Sequence, residues 1–103
     1  MRYTATIGLL LAILCGCNPK SDDVQILVAA GRSFAKEHRY AEAQTAYEKA
    51  LALDSLTAEP HYELGNLNAR LGRLDAAAQA YAAAVTADPA HDNAKHNLAV
   101  GEA

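Results

Sequence analysis

Apolar and polar positions along this chain fall into two regimes. From Tyr3 to Pro19 there is no charged residue, and Ile7-Gly8-Leu9-Leu10-Leu11-Ala12-Ile13-Leu14 forms the apolar centre of that stretch; from Lys20 onward apolar and charged residues interleave to the end. The second regime predicts five short helices: Asp22 to Glu37, Tyr40 to Leu53, Ala58 to Leu71, Leu74 to Ala87, and Asp92 to about Glu102. Ser21 is the expected N-cap of the first, with Asp22 and Asp23 complementing the helix dipole. Pro60 falls in the first turn of its helix, where a missing N–H costs little. Gly72 suits the left-handed residue that ends a helix, and His38, its counterpart in the first turn, is one of the few other residue types enriched at positive φ.

The first regime reads as an address rather than as fold. A basic end (Arg2), a short apolar run and small residues make a secretory signal peptide. A membrane-spanning helix needs ~20 apolar residues, and this stretch is shorter and is broken by Gly16, Asn18 and Pro19. Between Asn18 and Ser21 lies the only linker, and four extended residues reach at most ~14 Å.

Self-comparison at an offset of 34 residues is the most informative operation on the rest. Gly31 meets Gly65, Ala35 meets Ala69, Arg39 meets Arg73, Ala43 meets Ala77, Ala46 meets Ala80, Tyr47 meets Tyr81, Ala50 meets Ala84, and Asp54 meets Asp88. A repeat of this length signals a stack of helical hairpins. Its small residues belong where helices cross closely, and its tyrosines in the space between crossings; these are packing positions, not chemistry.

The period and residue types resemble the tetratricopeptide repeat (TPR), with its pattern W-x2-L-G-x2-Y, later A-x3-F, later P. Leu64-Gly65, Ala77, Tyr81, Ala84 and Pro89 match in the second unit; Gly31, Phe34, Ala43, Tyr47 and Ala50 match in the first. His61 and Asn68 stand in place of the pattern's aromatics, and Ser55 in place of the first unit's proline. Leu14-Cys15-Gly16-Cys17 resembles the bacterial lipobox, in which a small residue precedes the cysteine that is lipidated and becomes the new N-terminus. The pattern excludes Cys15, because bulky Leu14 precedes it. The other readings of the two cysteines are ordinary small hydrophobes or a Cys-x-Cys metal pair. Together the resemblances imply an all-α, short TPR-type helical repeat: a signal peptide over 1–16, lipidated Cys17 and linker over 17–21, repeat units over 22–57 and 58–91, and a capping helix over 92–103 as a partial third unit.

Composition narrows the function. The net charge is −3, and the chain without Arg2 has eight basic against twelve acidic residues, so nucleic acid is not an expected partner. The nearest grouping of metal-ligand types is Asp88, His91, Asp92 and His96, but His91 and His96 do not share a helical face, and no motif for catalysis or phosphate binding occurs. No catalytic residue, metal or cofactor is expected.

The TPR resemblance implies a concave groove lined by the first helix of each unit. Here that lining is Val28, Arg32, Ala35 and Lys36, then Tyr62, Asn66, Ala69 and Arg70, then Asn93, His96, Asn97 and Val100. Arg32, Lys36, Tyr62, Asn66, Arg70, His96 and Asn97 are the candidate partner contacts. Asn66 and Asn97 would hold peptide backbone, Tyr62 would be the apolar anchor, and an acidic segment of another protein would be the ligand. A C-terminal carboxylate is disfavoured because Val28 and Tyr62 fill slots where that subgroup carries lysine. The expected function is a lipid-anchored protein-binding adaptor of the bacterial cell envelope. Asn18 after Cys17, in place of the aspartate of inner-membrane retention, favours the outer membrane. The alternative is a self-associating scaffold, stacked through Val24, Ile26, Leu27 and Val28.

Overall fold

The computed structural model describes residues 19–102, all five elements of which are helices: α1 (Pro19–Lys36), α2 (Tyr40–Leu53), α3 (Ala58–Arg70), α4 (Leu74–Ala87) and α5 (Asp92–Glu102). The expected signal peptide and Cys17 lie outside the described residues. Helix α1 starts three residues earlier than Ser21 as N-cap would have it. Pro19 is its first residue, a position that needs no N–H and favours proline's fixed φ, so the expected linker is helical from Pro19 on. No described helix is long and apolar enough to cross a membrane.

Each hairpin closes by the same backbone device. At the α1–α2 turn His38 N–H bonds to the Ala35 carbonyl at 3.1 Å and Arg39 N–H to Phe34 at 2.8 Å; at the α3–α4 turn Gly72 bonds to Ala69 at 3.1 Å and Arg73 to Asn68 at 2.8 Å. This is the Schellman closure, which requires a left-handed residue at its apex. His38 at φ 62° and Gly72 at φ 79° supply it. The unit-to-unit turns use Asp54 and Asp88, whose carboxylates accept the backbone N–H of Leu56 and Ala90, each at 3.0 Å. The offset-34 identity of these aspartates is therefore a turn requirement.

Within each hairpin the packing centres on one tyrosine. A Cβ added at Gly31 would overlap the ring of Tyr47, and one added at Gly65 would overlap that of Tyr81. Each glycine thus leaves a ring-sized recess on the first helix, filled by a tyrosine of the second. Val24, Val28, Ala43, Tyr47 and Ala50 form the main core together with Leu67 of α3, which fuses the two hairpins. Val24 and Val28 are each 1% exposed. Both were expected on the surface, Val24 on the outer face and Val28 there and in the groove. They instead face α2, because the stripe 24, 28, 31 is the one that meets Tyr47. Only Ile26 of that quartet is largely exposed, while Leu27 packs partly against the core.

Candidate functional site: a two-part groove

The groove is built where α3 crosses between the hairpins. Its first cleft, about 490 Å³, is lined by Tyr47 and Tyr81 from the second helices and by Glu63, Asn66, Leu67 and Arg70 from α3, with Ala35 and Ala69 at the edges. Leu67 is 4% exposed and forms the floor. Small residues at 35 and 69 keep the cleft open.

Its polar groups are tied into a network that spans three helices. The Tyr81 hydroxyl donates to Asn66 Oδ1 at 2.6 Å, and Asn97 Nδ2 donates to the same oxygen at 3.2 Å. Both contacts spend the Asn66 carbonyl, so the donor side of that amide is left for a ligand. Tyr47 extends its hydroxyl to Glu63 Oε2 at 3.5 Å. Burial, reinforced by Glu63, pushes the Tyr47 phenol up to about 12. Tyr81 is also raised by burial, with its Asn97 hydrogen bond acting in the opposite direction.

Arg32 is engaged. Its guanidinium bonds Glu59 Oε2 at 2.6 Å and Glu63 Oε1 at 2.8 Å, joining α1 to α3. The hydrogen bond it donates to Glu63 raises its pKa. With Arg32 and Glu59 partly exposed, such pairs contribute modestly to stability, and they cancel the positive charge expected at this point. Glu59 also accepts from His91 Nε2 at 2.9 Å, while His91 Nδ1 accepts the backbone N–H of Ala94 at 3.1 Å. One neutral tautomer satisfies both bonds. His91 is thus the side-chain cap of α5, a role that no sequence motif announces.

Tyr62 lies beside this cap, its ring centroid 4.7 Å from that of His91 and 6.1 Å from Tyr81. Much of its apolar face is covered by the protein itself. Lys36, Arg70 and His96 are exposed; Arg70 lines the first cleft, and it has no carboxylate partner among the described residues. Asn97 lines a second cleft, of about 400 Å³, with Leu74, Ala77, Ala78 and Val100; Ala69 and Tyr81 form a wall common to both clefts. The structure thus brings Asn66, Arg70 and Asn97 together, engages Arg32 with acids, and leaves His96 outside both clefts. Sequence reasoning missed Tyr47, Tyr81 and Leu74 as groove residues, having taken the lining from first helices only, and passed over Leu67 on α3. Among the described residues no group of acids, histidines and cysteines could hold a metal ion.

A stack of helical hairpins with an open, mixed-polarity groove and a shared polar network defines a protein-interaction module. The tetratricopeptide repeat family matches residues 28–92, and the chain belongs to it. No curated protein matches the chain.

Proposed function

We propose that this protein is a lipid-anchored TPR adaptor of the bacterial cell envelope, held by acylated Cys17 and receiving a segment of another protein in its groove. The observation that carries the binding half is the first cleft, in which the Asn66 amide and Arg70 stand ready while Leu67 and the tyrosines form a fixed wall. Such a preorganised mix of a few polar groups on apolar walls suits capture of an extended chain.

The anchoring half rests on Leu14-Cys15-Gly16-Cys17. A triacylated terminus buries enough methylenes for firm attachment, and Asn18 favours the outer membrane. Replacement Cys17→Ser should abolish incorporation of labelled fatty acid and leave an unprocessed precursor, whereas Cys15→Ala should process normally; equal labelling of the two would overturn the anchor. For the groove, Asn66→Ala with Arg70→Ala should reduce capture of the native partner from membranes without lowering helicity. Self-association through α1 loses its main support, since Val24 and Val28 are interior.

A further inference from the structure

The two clefts are successive copies of one position in the repeat, yet their chemistry differs. Advancing by 34 residues carries Glu37 to Leu71, Tyr40 to Leu74, Gln44 to Ala78, Glu63 to Asn97, and Asn66 to Val100. The first four exchanges remove charge or a side-chain polar group or reduce it to a neutral amide, and the last replaces an amide by an aliphatic group. Leu71, Leu74 and Val100 are 38%, 69% and 62% exposed, so the apolar character is on the surface. The sequence also places Gly101 where the spacing repeats Leu67.

Charge diverges in the same direction. Arg39 is held by Glu37 and by Glu42, and its guanidinium lies 4.8 Å from the Phe34 ring centroid. In the second unit Leu71 and Ala76 stand where Glu37 and Glu42 stand in the first, and Arg73 makes a 3.4 Å contact to Gln44. The second cleft is therefore apolar apart from Asn97, and Arg70 lines the first cleft on the other side of the shared Ala69–Tyr81 wall; neither Arg70 nor Arg73 has a carboxylate partner among the described residues. Three part-exposed aliphatic side chains and adjoining alanines fall short of the ~800 Å² per partner of a stable interface between two proteins. They match the insertion of single side chains.

We infer that the seam between α4 and α5 is the apolar subsite of the groove, taking a large aliphatic or aromatic side chain from an acidic, extended segment of the partner whose carboxylate pairs with Arg70. This rests on the groove reading above and moves the apolar anchor point from Tyr62 to Leu74 and Val100. Neighbouring helices sit ~8–10 Å apart and an extended chain advances ~3.3 Å per residue. The acidic and apolar residues of the segment are thus about three positions apart.

The test is selection of a random peptide-display library on the full-length chain, followed by fluorescence anisotropy of the enriched peptides. The expected result is an acidic residue followed or preceded about three positions away by Leu, Ile, Phe or Met. Leu74→Glu and Val100→Glu should each weaken binding about tenfold or more, the scale of losing an apolar anchor. Thermal melts should be unchanged, because both side chains face solvent. Arg70→Glu should weaken binding and flatten its salt dependence. Enriched peptides that bind both glutamate variants as tightly as the parent overturn the subsite while leaving the groove reading intact, provided Arg70→Glu weakens them; no enrichment at all overturns both. Flotation of the full-length Cys17→Ser variant with phosphatidylethanolamine–phosphatidylglycerol vesicles, lost on Leu74→Glu, would make the patch a lipid contact and overturn the proposal.

Discussion

The seam between α2 and α3 and the seam between α4 and α5 occupy equivalent places in the repeat, each is joined by the same aspartate bend, and the hairpins on either side close by the same Schellman turn. Their shared residues are the ones that set helix against helix: Gly31 and Gly65, Ala43 and Ala77, Tyr47 and Tyr81, Ala50 and Ala84. Their differing residues lie toward solvent. The first cleft is lined by Glu63 and Asn66 over a leucine floor, and the second by Asn97, Val100 and Ala78. In a repeat protein the identities thus describe the scaffold, and the differences describe what the scaffold presents.

The largest expected effect tests whether the two tyrosines are equally structural. Tyr47 is 1% exposed and sits in the main core, so Tyr47→Ala should cost ~3–5 kcal/mol in urea unfolding. Tyr81 borders the open second cleft, and Tyr81→Ala should cost clearly less. Equal losses would mean that the second seam is packed as firmly as the first.

Next in size is the floor itself. Leu67→Ala should cost ~2–4 kcal/mol by leaving a cavity where the hairpins fuse.

Overpacking separates the seams more finely. Ala43 is fully buried, and Ala43→Leu should cost ~1–3 kcal/mol. Ala77→Leu should cost less, since the added methyls have the second cleft to enter. Thermal melts of the two variants decide the order.

The smallest effect appears at high pH. Burial holds the Tyr47 phenol near 12 in the folded state against 10 for the free side chain, so above pH 10 the unfolded chain releases a proton that the folded one keeps. Stability is then fully present below pH 10 and is lost as pH rises toward 12. In Tyr47→Phe this alkaline slope should be shallower than in the parent. The reduction should be weaker in Tyr81→Phe, whose Asn97 bond opposes the rise.

Much of the fold was legible because repeat proteins write their architecture twice. The offset-34 identities located both hairpins, and helix bounds agree within one residue except at the start of α1. That start was missed because Ser21 reads equally well as a cap or as the third residue of a helix begun by proline. Val28 was misplaced for a related reason: an apolar residue at helical spacing fits either a groove or a core, and only the position of the Tyr47 ring decides. The groove was legible along α3, where Asn66 and Arg70 line the first cleft, and less so in Arg32, whose partners Glu59 and Glu63 lie on a different helix.

The sequence by itself determined the helices and the turns that join them, because these depend on local backbone preference and on a period that recurs; that each glycine receives a tyrosine ring was decided by the packing of the two helices. Tertiary structure alone decided which polar groups are spent within the protein and which remain for a partner. Arg32 is consumed by acids 27 and 31 positions away, His91 caps α5 while holding Glu59, and Asn66 gives its carbonyl to Tyr81 and Asn97. Those are contacts between helices, set by distances that no spacing along one helix encodes.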